Sequence, residues 1–334
     1  MLKIGIIGYG YWGPNLLRNF YAVNDCKVES VADFRQERLS LVQKNYPNVK
    51  ITTNPDDILL STEIDAVVIA TPVHTHFELA KKALENGKHV LIEKPFTSSS
   101  AQAVELMNIA EKKGLLVMVD HTFLYTGAVQ KMKNLIKDGG IGKLQYLDST
   151  RINLGLFQPD VNVLWDLAPH DISVLNFLNN ETPLSINATG ISHTQNNIEN
   201  IAYMTVNYPS GFIAHFNCSW SSPVKIRMML IGGDKKMIVY NDMEPTEKVK
   251  IYETGYNVRN DEEKRNIMVD YRVGDIYVPK VATNEALSLM SADFVNSIRN
   301  KKQPLADAQI ALNVVKILEA AELSIKNKGK EIKL

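Results

Sequence analysis

The sequence has little that would tie it to nucleic acid, a membrane or a disulfide scaffold. Lys plus Arg number 37 and Asp plus Glu also number 37, so the formal net charge is zero. A nucleic-acid surface needs clustered excess Lys and Arg. The longest positive run, KNKGKEIK near the C-terminus, is broken by Glu331 and reads as a solvated tail. No apolar run approaches the ~20 residues of a membrane span. The chain opens directly on a strand-like run, LKIGIIGYG, with none of the regions of a secretory signal. Its two cysteines, Cys26 and Cys218, stand far apart without metal-type spacing, which suits a reducing compartment. These absences predict a cytoplasmic protein with neither nucleic acid nor membrane as partner.

What is present is globular grammar. At 334 residues and 45% hydrophobic, the chain is long enough for two domains with real cores. Through residue 120, short Val- and Ile-rich runs (KIGIIG, VESVA, AVVIA, HVLIE, LLVMV) alternate with helical patterns. Near-continuous apolar runs of that length are expected of strands buried on both faces of a parallel sheet. The stretches between them show helical stripes: Phe77, Ala80 and Leu84 before Gly87, and Val104, Met107 and Ala110 before Gly114. Residues 1–120 therefore read as a doubly wound α/β domain of Rossmann type. Residues 121–334 read differently. After a helix near 127–138, strands dominate at about 143–153, 184–193, 200–208, 211–219, 225–231, 235–240 and 247–252. Turn sequences YPSG and GGDK join neighbours, and helices return near 286–300 and 306–327. This predicts an α+β domain with a large, mostly antiparallel open sheet, able to serve a homodimer or homotetramer.

The first chemistry-bearing stretch is IGIIGYGYWGPN, with Gly8, Gly10 and Gly13 in GxGxxG spacing. The first glycine permits a tight turn, the second lets a pyrophosphate approach the backbone, and the third allows helix to pack on strand. Asp33 follows twenty residues after Gly13, at the end of the next strand, where an acid bonds an adenosine ribose hydroxyl. Asp33 favours NAD, since a carboxylate repels a 2′-phosphate; Arg35 beside it keeps NADP open. Lys94, in EKPF after the strand at 89–93, leaves the sheet on the ligand side. An ammonium there can steady a developing alkoxide. LWDLAPHDISVLNF, residues 164–177, sets Asp166 and His170 four apart, on one side of a helix that Asp166 is expected to cap.

Taken in order, GYGYWG, EKP at 93–95 and DLAPH at 166–170 resemble the glucose–fructose oxidoreductase/inositol dehydrogenase (Gfo/Idh/MocA) family, as does the closing PLADAQIALNVVKILEAAELSIKNKGKEIKL. The resemblance implies an NAD(P)-dependent oxidoreductase that needs no metal. In it Lys94, Asp166 and His170 are catalytic, with His170 exchanging the proton of a substrate hydroxyl while the nicotinamide exchanges the hydride. Tyr11 and Trp12 of the glycine turn, with Thr71, Pro72, His76 and Glu93 at the two nicotinamide-side strand ends, complete the candidate cofactor set. His76 fits the family's threonine–proline–x–x–x–histidine spacing, although a lone histidine is more readily a helix-entry or packing residue. His121, Tyr125, Arg151 and Asn153 join Lys94, Asp166 and His170 as candidate substrate contacts. DHTFLY departs from the family's frequent arginine-containing run at that point, so His121 and Tyr125 are equally open to a structural role, as are Arg151 and Asn153 as strand residues of the large sheet. NVLWDLAPHDISVLNFL with RINLG resembles the branch acting at C3 of nucleotide sugars such as UDP-N-acetylglucosamine or its uronic acid. Inositol or free-sugar dehydrogenases and 3-keto-sugar reductases are the enzymatic rivals. A non-catalytic dinucleotide- and sugar-binding regulator is the rival of another class, disfavoured because the lysine and the Asp–His pair are all present.

Overall fold

The computed structural model describes residues 1–258 and 269–334. The chain forms two compact units, one of residues 1–126 with 284–316 and one of 127–283 with 317–334. Two consecutive domains divided near residue 120 do not anticipate this return of the C-terminal region to the first unit.

In the first unit, strands β1 (Leu2–Ile7), β2 (Cys26–Ala32), β3 (Lys50–Thr52), β4 (Ala66–Ile69), β5 (His89–Ile92) and β6 (Val117–Val119) form one sheet of order β3-β2-β1-β4-β5-β6. Every pairing is parallel. This is the expected doubly wound architecture, and its order reverses between β1 and β4, where ligands bind beyond the carboxyl ends of the strands. Between the strands lie α1 (Gly13–Ala22), α2 (Gln36–Asn45), α3 (Asp56–Leu59), α4 (Val73–Glu85) and α5 (Ser100–Lys113). Helix α1 buries Leu16, Leu17 and Phe20, as its pattern predicts. Helix α5 ends at Gly114 in the left-handed region, but the face it buries is Ala103, Leu106 and Ala110. Of the expected stripe Ala110 is buried and Met107 half-buried, while Val104 is exposed.

In the second unit come α6 (Gly127–Lys137), β7 (Leu144–Leu154), α7 (Val163–Leu178), β8 (Ser185–Ile191), β9 (Ile201–Asn207), β10 (Ile213–Ser219), β11 (Ser221–Gly233), β12 (Met237–Asn241) and β13 (Val249–Tyr252). After β14 (Gly255–Val258), β15 (Val269–Arg272) and β16 (Ile276–Tyr277), α8 (Ala286–Asn300) belongs to the first unit. There Phe294 packs edge-on against Phe20, and Glu285 takes the Arg18 guanidinium at 3.0 Å. Helix α9 (Ala308–Lys326) and β17 (Ile332–Lys333) end the chain. The large sheet has order β16-β13-β12-β11-β7-β10-β9-β8-β17. It is antiparallel except between β7 and β10. Helix α7 lies on β7, β9 and β10, which buries Leu164, Ile172, Val174 and Leu175.

Candidate active site

The glycine turn after β1 owes its residues to backbone crowding. Gly8 has φ +99°, and a Cβ there would stand 2.4 Å from the Ala70 carbonyl oxygen. At Gly13 a Cβ would lie 2.4 Å from the Gly8 carbonyl oxygen. Gly10 differs: the nearest atom to its Cβ position is an Arg35 nitrogen at 3.7 Å, so the space above it is open. That is where a pyrophosphate approaches the main chain. Helix α1 starts from Trp12 with no side-chain cap and no acid in its first turn, leaving its free N–H groups and positive dipole end to an anion. The cradle therefore fits a dinucleotide. Tyr11 is 85% exposed and meets Trp12 edge-on, with ring centroids 5.4 Å apart.

Asp33 follows β2 and is buried. Its carboxylate accepts the Tyr9 N–H at 2.8 Å and the Arg35 N–H at 2.9 Å, and Arg35 Nε donates to it at 3.1 Å. Burial alone would push this carboxyl up, but the Arg35 guanidinium and the two backbone donors hold it below its usual range. The Arg35 guanidinium also lies 5.2 Å from the centroid of the Phe34 ring.

Beyond β4, Pro72 precedes the first residue of α4, and Thr71 and Thr75 share a hydroxyl hydrogen bond at 2.6 Å. His76 is 1% exposed. Its Nδ1 lies 2.9 Å from the Pro95 carbonyl oxygen and its Nε2 2.8 Å from that of Thr71. Both nitrogens face the main chain, so the expected cofactor contact gives way to a link between two loops.

Lys94 follows β5 and is half-buried. Beneath it, Glu93 and Asp120 are both buried, one step past the Ile92↔Val119 pair on adjacent parallel strands. Burial pushes the Glu93 carboxyl well above its ordinary value, and the neighbouring Asp120 adds to the rise. Asp120 is raised too, again by burial, although the Thr122 hydroxyl and N–H donate to it. His121 is 1% exposed, and neither ring nitrogen has a hydrogen-bond partner among the described residues. Burial, with the Lys94 ammonium nearby, lowers its pKa to about 3, so the ring is neutral. The Tyr125 hydroxyl donates to Asp293 at 2.7 Å and accepts the Ala306 N–H at 3.3 Å, a structural role of the kind the sequence left open, which ties α8 to the segment after β6.

In the second unit the cap of α7 is Asn162, whose Oδ1 accepts the N–H groups of Leu164 and Trp165 at 3.1 and 3.2 Å. Asp166, the expected cap, stands in the first turn, and Pro169 lies inside the helix. Released from capping, the Asp166 carboxylate accepts the Trp220 indole N–H at 3.0 Å. Asp166 and His170 are both half-buried and lie one helical turn apart. Arg151, expected at substrate, is buried instead under α7. Asp171 takes its Nε at 2.9 Å and a terminal nitrogen at 2.6 Å, and also accepts the Ser149 hydroxyl at 2.8 Å. Burial works against the Arg151 charge, but the Asp171 carboxylate outweighs it and holds the guanidinium above its ordinary value. Asn153 is half-buried two residues further along β7, on the same face as Arg151. Sequence reasoning missed Asn162, Trp220, Asp120 and Asp293. Only Asn162 carried a local signal, as an amide directly before an apolar run with an acid in its first turn.

Residues 2–121 match the model of an oxidoreductase family with an NAD-binding Rossmann fold, and residues 129–239 match the GFO/IDH/MocA C-terminal domain. An uncharacterised oxidoreductase of Escherichia coli (strain K12) is 33% identical over 181 residues, 51% of each chain. UDP-N-acetylglucosamine 3-dehydrogenase of Acidithiobacillus ferrooxidans is 29% identical over 222 residues, 65% of this chain and 67% of that protein. The chain thus spans from about half to two thirds of the length of these two relatives. A crystal structure of the Acidithiobacillus enzyme superposes with a TM-score of 0.82 over 98% of both chains at 24% identity, a likeness of fold.

Proposed function

Because the chain belongs to the Gfo/Idh/MocA oxidoreductase family, we propose that it is an NAD(P)-dependent dehydrogenase. Its substrate in this reading is a nucleotide sugar of the UDP-N-acetylglucosamine class, oxidised at the C3 hydroxyl to a 3-keto sugar. The observation that carries the reading is the cradle at Gly8, Gly10 and Gly13 beneath an α1 N-terminus without cap or acid. The choice of sugar rests on the likeness to the Acidithiobacillus enzyme.

When bound, the nicotinamide supplies a hydride acceptor at C4. The chain's residues do the rest. The α1 N-terminus and the open face of Gly10 hold the pyrophosphate. Asp33, kept ionised by Arg35, binds the adenosine ribose diol and disfavours a 2′-phosphate, so NAD is the preferred dinucleotide. His170 accepts the hydroxyl proton as the carbonyl forms, the general-base task of an imidazole. Asp166, held by the Trp220 indole, orients His170 or the substrate. Lys94 stabilises the alkoxide that develops as the proton leaves.

The test is a panel of UDP- and dTDP-sugars, free hexoses and inositol with NAD and NADP, read at the nicotinamide absorbance band, with an aminotransferase or 2-oxoglutarate to pull an unfavourable equilibrium. A UDP-hexosamine should give reduced cofactor. Lys94→Ala and His170→Ala should lose roughly 10²–10⁴-fold in turnover while still binding NAD. Full turnover in His170→Ala would refute the proton-transfer assignment. Dinucleotide binding with no reduction by any sugar would make the protein a binding module.

A further inference from the structure

We propose that His76 is a positioning residue that fixes where Lys94 leaves the sheet, by holding together the loops that follow β4 and β5. Its kinetic consequence rests on the dehydrogenase reading, while its geometry does not.

The imidazole sits on the first turns of α4, sealed from water, with one nitrogen at each loop's carbonyl oxygen: Pro95 at 2.9 Å and Thr71 at 2.8 Å. Backbone carbonyls only accept, so the ring acts here as a donor; burial lowers its pKa and favours the neutral ring, whose one N–H sits on Nδ1 and donates to the Pro95 carbonyl. Pro95 directly follows Lys94, and its ring fixes φ. Holding the Pro95 carbonyl therefore sets the direction of the chain just past the lysine. Before it, the chain is held by the Glu93 N–H on the Ile69 carbonyl at 2.9 Å and by the Lys94 N–H on the Glu93 carboxyl at 3.2 Å. On the other side, Thr71 adjoins Ala70, the residue whose carbonyl oxygen packs against Gly8. The ring's one N–H thus ties the lysine loop to α4, which begins two residues past Thr71 and so beside the wall of the phosphate turn. Such placement matters because an error of about 1 Å at a catalytic group costs on the order of 10²-fold in rate.

The comparison is between His76→Leu, which fills similar space without a donor, and His76→Gln, whose amide keeps N–H donors. In His76→Leu, kcat should fall about 10- to 100-fold, with sugar KM and NADH affinity within about threefold of wild type. His76→Gln should recover most of that loss. In the substrate-free chain, the ¹⁵N shifts of the His76 ring should report a hydrogen-bonded N–H, and the ¹³C resonance of dimethylated Lys94 should move in His76→Leu and return in His76→Gln. Unchanged kcat and an unchanged Lys94 resonance in His76→Leu would overturn the proposal. So would a Gln variant no better than the Leu variant, since the ring would then act by packing alone. If wild type oxidises no sugar, the dehydrogenase reading fails, and the ring shifts and the Lys94 resonance decide on His76 by themselves. If His76→Leu does not fold, His76→Gln and the wild-type ring shifts decide.

Discussion

Replacing Asp171 by Asn removes the counter-charge of Arg151 and little else, because the two side chains share shape. Arg151 and Asp171 are 3% and 5% exposed, and three donor contacts converge on the carboxylate. Without it, the buried guanidinium loses its nearest counter-charge, a change that costs about 3–5 kcal/mol. The charge, rather than the volume, is responsible. Arg151→Met with Asp171→Leu should therefore return to within about 1–2 kcal/mol of wild type, the residue being the Ser149 hydroxyl left without its acceptor. For a unit of this size each kcal/mol moves the midpoint by roughly 2–4 °C, so Asp171→Asn should melt about 6–20 °C early. The assay is thermal unfolding in a Trp12→Phe background, where Trp165 and Trp220 both report on the second unit. A single variant within 1 kcal/mol of wild type, or a double variant no better than the single, would refute the reasoning.

Two further outcomes follow from the first unit. Gly8→Ala should fold poorly and lose dinucleotide binding, because its Cβ meets the Ala70 carbonyl at a positive φ. Gly10→Ala should fold as wild type and lose affinity alone, since nothing of the protein lies within 3.4 Å of its Cβ. Calorimetric NAD titration with melting curves separates the two, and full affinity in Gly10→Ala would mean the pyrophosphate sits elsewhere. His121 has a folded pKa of about 3 against an unfolded value near 6.5, so the unfolded chain takes up the proton first. Its stabilising contribution is whole above pH 6.5 and is lost as pH falls toward 3, about 2 kcal/mol of it by pH 5. Urea midpoints at pH 7 and pH 5 should draw together in His121→Phe relative to wild type; an unaltered gap would show that the ring is hydrated and ordinary.

The parallel sheet was legible because strands covered on both faces must be apolar throughout, as AVVI of β4 is. β3, only KIT at an edge of the sheet, carries no such mark and was not foreseen. Each strand expected between 143 and 252 has its counterpart in β7–β13, since turns and alternation are local. The parallel match of β7 with β10 is not local, and no pattern in either strand announces it. The same divide runs through the site. Gly8, Gly13 and Asp33 act within their own turn or with the next strand and were readable from spacing. His76, Tyr125 and Arg151 depend on Pro95, Asp293 and Asp171, partners that spacing does not encode, so spacing leaves both a ligand contact and a structural role open for each. Asp166 was mistaken for a cap because an acid opening an apolar helix resembles one, whereas Asn162 already filled that place.

The parallel pairing of β7 with β10 also sets an order of assembly. Helix α7, with Asp166 and His170, lies in the chain between those strands and rests on both. As the polypeptide emerges during synthesis, α7 appears after β7 but before β8, β9 and β10, so for that interval part of its apolar underside has no floor. Closing so long a connection is entropically slow compared with forming a hairpin. A nascent chain stalled after β9 would hold all of α7, Asp166 and His170 included, and still lack one of the three strands on which that helix rests.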